Sequence, residues 1–93
     1  MKKLILIVED NIALSHIQKD WLEREGYSVA TAMNEPFAHK LLRKEQFDLI
    51  LSDVRLPQGD GIHLLEWIGK EKMDIPFVIM TAVSYTHLRA HET

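Results

Sequence analysis

Four short aliphatic runs, separated by stretches of helical periodicity, constrain this chain more than any other feature. Leu4–Val8 is a continuous apolar run with β-branched members, Ser28–Ala32 reads as a second short strand, and Leu49–Ser52 and Pro76–Met80 follow at similar spacing. Runs of this length and composition fit strands covered on both faces, as in a parallel sheet. Between the first two, Leu14, Ile17 and Trp21 fall on one helical face that starts at Asn11 and stops near Gly26. Between the next two, Asn34 caps a helix with Pro36 in its first turn, where the missing N–H costs nothing, and Phe37, Leu41 and Leu42 as its apolar side. The segment from Asp53 to Gly61 reads as a loop, and Ile62, Leu65 and Ile68 mark a third helix running to about Lys72. Strands and helices alternating so closely imply right-handed crossovers and a parallel sheet with helices on both faces.

Such sheets do their chemistry beyond the carboxyl ends of the strands. Three acids stand there: Glu9 and Asp10 after the first strand and Asp53 after the third. Helix capping accounts for any one of them. It does not account for a cluster, because like charges held together raise one another's pKa and oppose folding unless a cation neutralises them. A hard divalent ion is the natural partner, and Mg²⁺ is usually held by one or two carboxylates and a phosphate with several waters.

Composition removes other function classes. With 11 basic against 14 acidic residues and a net charge of −3, the chain has no polybasic surface for nucleic acid or anionic lipid. The absence of cysteine excludes a disulfide framework and a thiol nucleophile, and fits a cytoplasmic location. The opening apolar run ends at Glu9, too short for export or for spanning a membrane. The five histidines are scattered, and His87 with His91 would share a face only in a helix, so solvated side chains are expected there. Trp21 and Trp67 fit helix packing better than ligand stacking.

Three stretches then carry a resemblance. Ile-Leu-Ile-Val-Glu-Asp-Asn, Asp-Leu-Ile-Leu-Ser-Asp-Val-Arg-Leu-Pro-Gln-Gly-Asp-Gly and Pro-Phe-Val-Ile-Met-Thr-Ala resemble the signature segments of response-regulator receiver domains, the phospho-acceptor modules of two-component systems. The resemblance runs from about Lys3 to Ala82. It implies a flavodoxin-like α/β fold with strand order 2-1-3-4. It makes Glu9 and Asp10 the acidic metal pair, Asp53 the phospho-acceptor, the backbone carbonyl of Arg55 a further Mg²⁺ ligand, and Thr81 the switch hydroxyl. The implied partner is a sensor histidine kinase as phosphodonor. The implied outcome is a switched downstream output, transcription above all, with a parent protein that dimerises on phosphorylation and no nucleic-acid binding by this domain. The run from Asp53 through Trp67 is most similar to receivers of nitrogen-regulatory-type activators. Leu56-Pro57, Gly59 and Gly61 read as turn punctuation.

Past Ala82 the resemblance breaks. A receiver continues into a fourth helix, a fifth strand ending in a lysine that contacts the phosphoryl group, and a last helix. Here Val83–Thr93 resembles one translated frame of the transposase adapter used in sequencing-library preparation. The expected organisation is therefore a partial receiver over 1–82 and a non-native tail over 83–93. Two other readings compete. One is a pseudo-receiver, or a non-functional fragment acting only as an interaction module. The other is a haloacid-dehalogenase-type phosphatase, which wants a second aspartate where this chain has Arg55.

Overall fold

The computed structural model describes residues 2–56 and 60–80. Within them the order is β1 (Leu4–Val8), α1 (Ile12–Arg24), β2 (Ser28–Ala32), α2 (Glu35–Lys44), β3 (Leu49–Asp53), α3 (Gly61–Lys70) and β4 (Phe77–Met80). The four strands form one parallel sheet in the order β2-β1-β3-β4. The chain starts in a central strand, steps to one side, then crosses back past β1, so the strand order reverses between β1 and β3.

Side chains alternate across a strand, and the two faces of the sheet are filled differently. Leu6, Val8, Ala32 and Ile50 point into a core closed by Ala38 and Leu42 of α2 and by Leu64 and Ile68 of α3. Ile5 and Ile7 point the other way and are also buried. On that side α1 lies along β1 and β2, with its Leu22 beside Ile5 and Leu49. β1 is therefore covered on both faces, which is why it reads as an unbroken apolar run.

Capping follows the residue types. Asn11 and Asn34 accept from the N–H groups of Leu14 and Phe37 at 3.0 and 2.9 Å, as their position before each helix predicts. Asp60 does the same for His63 at 2.6 Å, which gives α3 a cap inside a stretch that reads as loop. Gly26 closes α1 with φ +99°, a conformation that favours glycine.

The helix faces differ from the expected ones. Ile17 and Trp21 are 66% and 64% exposed, and α1 instead rests on Leu14, Ser15, Gln18 and Leu22. In α2 the buried positions are Glu35, Ala38 and Leu42, while Phe37 is exposed. In α3 they are Gly61, Leu64 and Ile68, with Ile62 and Leu65 outside and Trp67 half-buried against the core. Beside Leu42, Leu64 and Ile68 the helices seat small or polar residues inward, and they leave several large apolar ones outward. Trp67 packs as expected and Trp21 does not. Pro57, Gly59, Thr81, His87, His91 and the tail 83–93 lie outside the described residues.

Candidate functional site

The register of the sheet builds the site. Val8 pairs with Ser52, so the residues that follow, Glu9 and Asp53, leave adjacent strands side by side at the carboxyl edge. Glu9 is anchored there by its own N–H, which donates to the carbonyl of Ala32 at 2.9 Å. Asp10 comes next, between the strand and the cap of α1. Carboxylate oxygens of Glu9, Asp10 and Asp53 all lie within 4.8 Å of one another, and this is the one such group of potential ligands among the described residues. The three differ in exposure: Glu9 is buried, Asp53 partly buried and Asp10 exposed.

Their charges oppose one another. Burial pushes the Glu9 carboxyl above the ordinary glutamate range, and the charges of Asp53 and Asp10 push it the same way. The Asn11 N–H, which donates to Glu9 Oε2 at 3.0 Å, pulls it back in part. All the side-chain donors are carboxylate oxygens, and no imidazole or thiolate stands among them. That donor set matches a hard, oxygen-preferring cation and offers little to zinc or copper.

The chain around Asp53 is held closely. Asp53 is the last residue of β3 and pairs with Met80 of β4. Its Oδ1 accepts from the N–H of Arg55 at 3.2 Å, and its carbonyl accepts from the Ser52 hydroxyl at 2.8 Å. Arg55 forms a short antiparallel bridge with Asp60, which brings the chain back to α3. Gly61 then donates to the carbonyl of Val54 at 2.9 Å. At Gly61 the sequence suggests a turn residue, but the structure gives it a steric task. A Cβ there would stand 2.6 Å from the carbonyl oxygen of Asp53 and 3.1 Å from the Ser52 hydroxyl. Gly61→Ala should therefore displace the backbone at Asp53 and lower stability by about 1–3 kcal/mol. Chemical denaturation checks this, and an unchanged midpoint would count against so close an approach.

One cluster escaped the sequence. Two of the five histidines, His39 of α2 and His63 of α3, converge on the buried carboxylate of Glu35, at 2.9 and 2.5 Å. A glutamate at the start of a helix after an asparagine cap reads as a partner for the helix dipole. Nothing in the local pattern signals that it turns inward.

Comparison with known proteins agrees with this architecture. Residues 5–91 match the family described as response regulator receiver domain. The chain is 38% identical over 82 residues to the alkaline phosphatase synthesis transcriptional regulatory protein PhoP of Bacillus subtilis, covering 88% of this chain and 34% of PhoP. It is 42% identical over 80 residues to the two-component response regulator ORR24 of rice, of which it spans 13%. Among solved structures it superposes on the non-phosphorylated HemR receiver domain of Leptospira biflexa with a TM-score of 0.81 and 40% identity, covering 98% of this chain and 75% of that one. It superposes on the response regulator TrrA of Thermotoga maritima, solved in complex with Mg(2+)-BeF, with a TM-score of 0.83 and 33% identity, covering 95% and 75%. A four-stranded 2-1-3-4 sheet with an acidic crevice at its carboxyl edge, matched across most of the chain in sequence and in space, places this protein in the response regulator receiver domain family.

Proposed function

We propose that Asp53 accepts a phosphoryl group from a sensor histidine kinase in a Mg²⁺-dependent reaction, and that the phosphorylated domain switches a downstream output. The observation that carries this reading is the convergence of the Glu9, Asp10 and Asp53 carboxylates within 4.8 Å. Receiver domains are signalling domains, and the relatives include transcriptional regulators such as PhoP and KdpE.

Glu9, Asp10 and Asp53, with the backbone carbonyl of Arg55, would hold the ion. When bound, Mg²⁺ screens the anionic donor from the acids and stabilises charge on the transferring phosphoryl oxygens. Asp53 supplies the nucleophile. One carboxylate oxygen forms a bond to phosphorus as the P–N bond of a phosphohistidine breaks, and the electron pair leaves with the imidazole nitrogen, which takes up a proton. The N–H of Arg55 on Oδ1 fixes the rotation of that carboxylate and leaves Oδ2 for attack. An aspartyl phosphate adds oxygens that accept hydrogen bonds. Thr81 directly follows Met80, the partner of Asp53 across the sheet, and is assigned the hydroxyl that donates one. That hydrogen bond biases the surface read by the output, which we take to be transcription, through a parent that dimerises on phosphorylation. The cytoplasm supplies both the ion and the kinase. No helix among the described residues is long and apolar enough to cross a membrane.

The test is incubation with Mg²⁺ and a low-molecular-weight acyl phosphate. The expected result is one acid-stable, hydroxylamine-labile phosphoryl group per chain. No incorporation with Mg²⁺ present, or label that survives hydroxylamine, would refute an aspartyl acceptor.

A further inference from the structure

Ser52 differs in kind from its neighbours in the sheet. The row that crosses the strands at its level runs Ala32, Val8, Ser52 and Ile79, so one hydroxyl stands among apolar side chains. Ser52 is 0% exposed, and a buried hydroxyl costs free energy unless it finds a partner. β-Branched residues suit an interior strand better. A small side chain is required here, because the first residue of α3 packs onto it: a Cβ on Gly61 would stand 3.1 Å from the Ser52 hydroxyl. Alanine would meet that demand for size. What serine adds is a donor, and its hydroxyl gives a 2.8 Å hydrogen bond to the carbonyl of Asp53.

That bond is one of four that hold two successive peptides. The Asp53–Val54 peptide is held at its carbonyl by Ser52, and its N–H donates to the Met80 carbonyl at 3.3 Å. The Val54–Arg55 peptide is held at its carbonyl by the Gly61 N–H at 2.9 Å, and its own N–H donates to Asp53 Oδ1 at 3.2 Å. The two bonds to carbonyls from Ser52 and Gly61 are short, and the two made by the peptide N–H groups lie at the long end of the ordinary range. The short pair therefore sets the peptide planes, and the N–H that reaches the Asp53 carboxylate follows from them. The Ser52 side chain lies on the opposite face of β3 from that of Asp53, so it acts on the carboxylate through the backbone alone.

We infer that Ser52 is a positioning residue for phosphoryl transfer: its hydroxyl fixes the Asp53–Val54 peptide and so aims the Asp53 carboxylate. This rests on the reading of Asp53 as the acceptor and adds a residue on which the rate depends. Attack on phosphorus demands alignment, and a misplacement of about 1 Å can cost on the order of 100-fold in rate. Without the hydroxyl the Asp53 carbonyl loses its donor, the peptide turns, the next one turns with it, and the Arg55 N–H leaves Oδ1. The carboxylate keeps its charge and loses its fixed rotation. The other acids are held independently: Glu9 is anchored through its N–H on Ala32, and it and Asp10 leave β1 rather than β3.

The experiment follows acyl-phosphate labelling of the full chain, Ser52→Ala and Asp53→Asn, with Mg²⁺ affinity, thermal midpoint and the NMR shift of the Arg55 amide proton measured on the same samples. Rates are compared at saturating Mg²⁺ and well below every midpoint, so that each protein is folded. Ser52→Ala should lower the maximal rate by about tenfold and leave both the half-saturating donor concentration and the Mg²⁺ affinity within about twofold of wild type. The Arg55 amide proton should move upfield as its hydrogen bond is lost. A wild-type maximal rate in Ser52→Ala would overturn the inference. So would a loss of rate matched by an equal loss of Mg²⁺ affinity, the result of general disorder in the crevice. Label that persists in Asp53→Asn overturns the acceptor reading itself, and the inference with it.

Discussion

Asp53→Asn should abolish phosphoryl incorporation while leaving the fold intact, a loss of several orders of magnitude. Asparagine keeps the shape of the side chain and the Oδ1 that accepts from the Arg55 N–H, so the local geometry of β3 and the chain after it is preserved. What disappears is the anionic oxygen proposed to attack phosphorus, and neither of the two acids beside it is placed to take over. Glu9 is buried and pushed towards its protonated form, and Asp10 is exposed just before the cap of α1. Acyl-phosphate labelling with hydroxylamine release checks the result. Wild-type label in the variant would move the acceptor to another residue.

The second large effect appears without metal. Three carboxylates within 4.8 Å cost folding energy in the absence of a cation. Two unit charges about 4 Å apart repel by roughly 1 kcal/mol in water and more where water is excluded. Glu9→Gln should therefore raise the stability of the metal-free domain by on the order of 1 kcal/mol or more. Asp53→Asn should do so to a smaller degree, because Asp53 keeps more contact with solvent. The order follows from cause: burial is the largest contribution to the raised Glu9 pKa, and glutamine still accepts from the Asn11 N–H.

The pH dependence has the same origin. Glu9 has an unfolded value near 4.5 and a higher folded one, so its contribution is fully present below about pH 4.5 and is lost as pH rises through the folded value. Melting temperature in chelator should accordingly fall as pH rises above 4.5, contrary to the usual behaviour of a paired carboxylate. The fall should flatten in Glu9→Gln. Thermal melts across that range are the check, and a metal-free wild type that gains stability with pH through that window would argue against crowding.

How much of this was legible in the sequence depends on which physical signal carries it. β1 was readable to the residue because a strand covered on both faces is an unbroken apolar run with no competing pattern; β2, the half-buried edge strand Ser28–Ala32, was readable as the short stretch between the end of α1 at Gly26 and the cap of α2 at Asn34, and β3 and β4 differ from expectation by one residue at one end. Asn11, Asn34 and Gly26 were readable because a cap is a local event. The acidic crevice was readable because strand ends and crossover direction bring Glu9 and Asp53 together before any side chain is placed. The helix faces were readable only in part: Leu42 and Ile68 are buried and Leu41 packs on the core as expected, but other positions are reversed. Ile17, Trp21, Phe37 and Ile62 are more hydrophobic than Ser15, Glu35 or Gly61, yet the latter face the sheet. The decision there is made by close approach and by hydrogen bonding across the structure. Gly61 sits inward because any Cβ meets the Asp53 carbonyl. Glu35 sits inward because His39, His63 and the Asp60 N–H satisfy it. His39 is an i,i+4 neighbour on the same helix, but His63 and the Asp60 N–H lie 28 and 25 residues away in sequence, beyond the reach of periodicity.

The proposed phosphoryl transfer requires one divalent ion to be shared by three side chains from two strand ends. A calorimetric Mg²⁺ titration of the wild type, Asp10→Asn and Asp53→Asn tests it most directly. A single site in the wild type that is lost in each variant is the predicted result. Undiminished Mg²⁺ binding in both variants would contradict it.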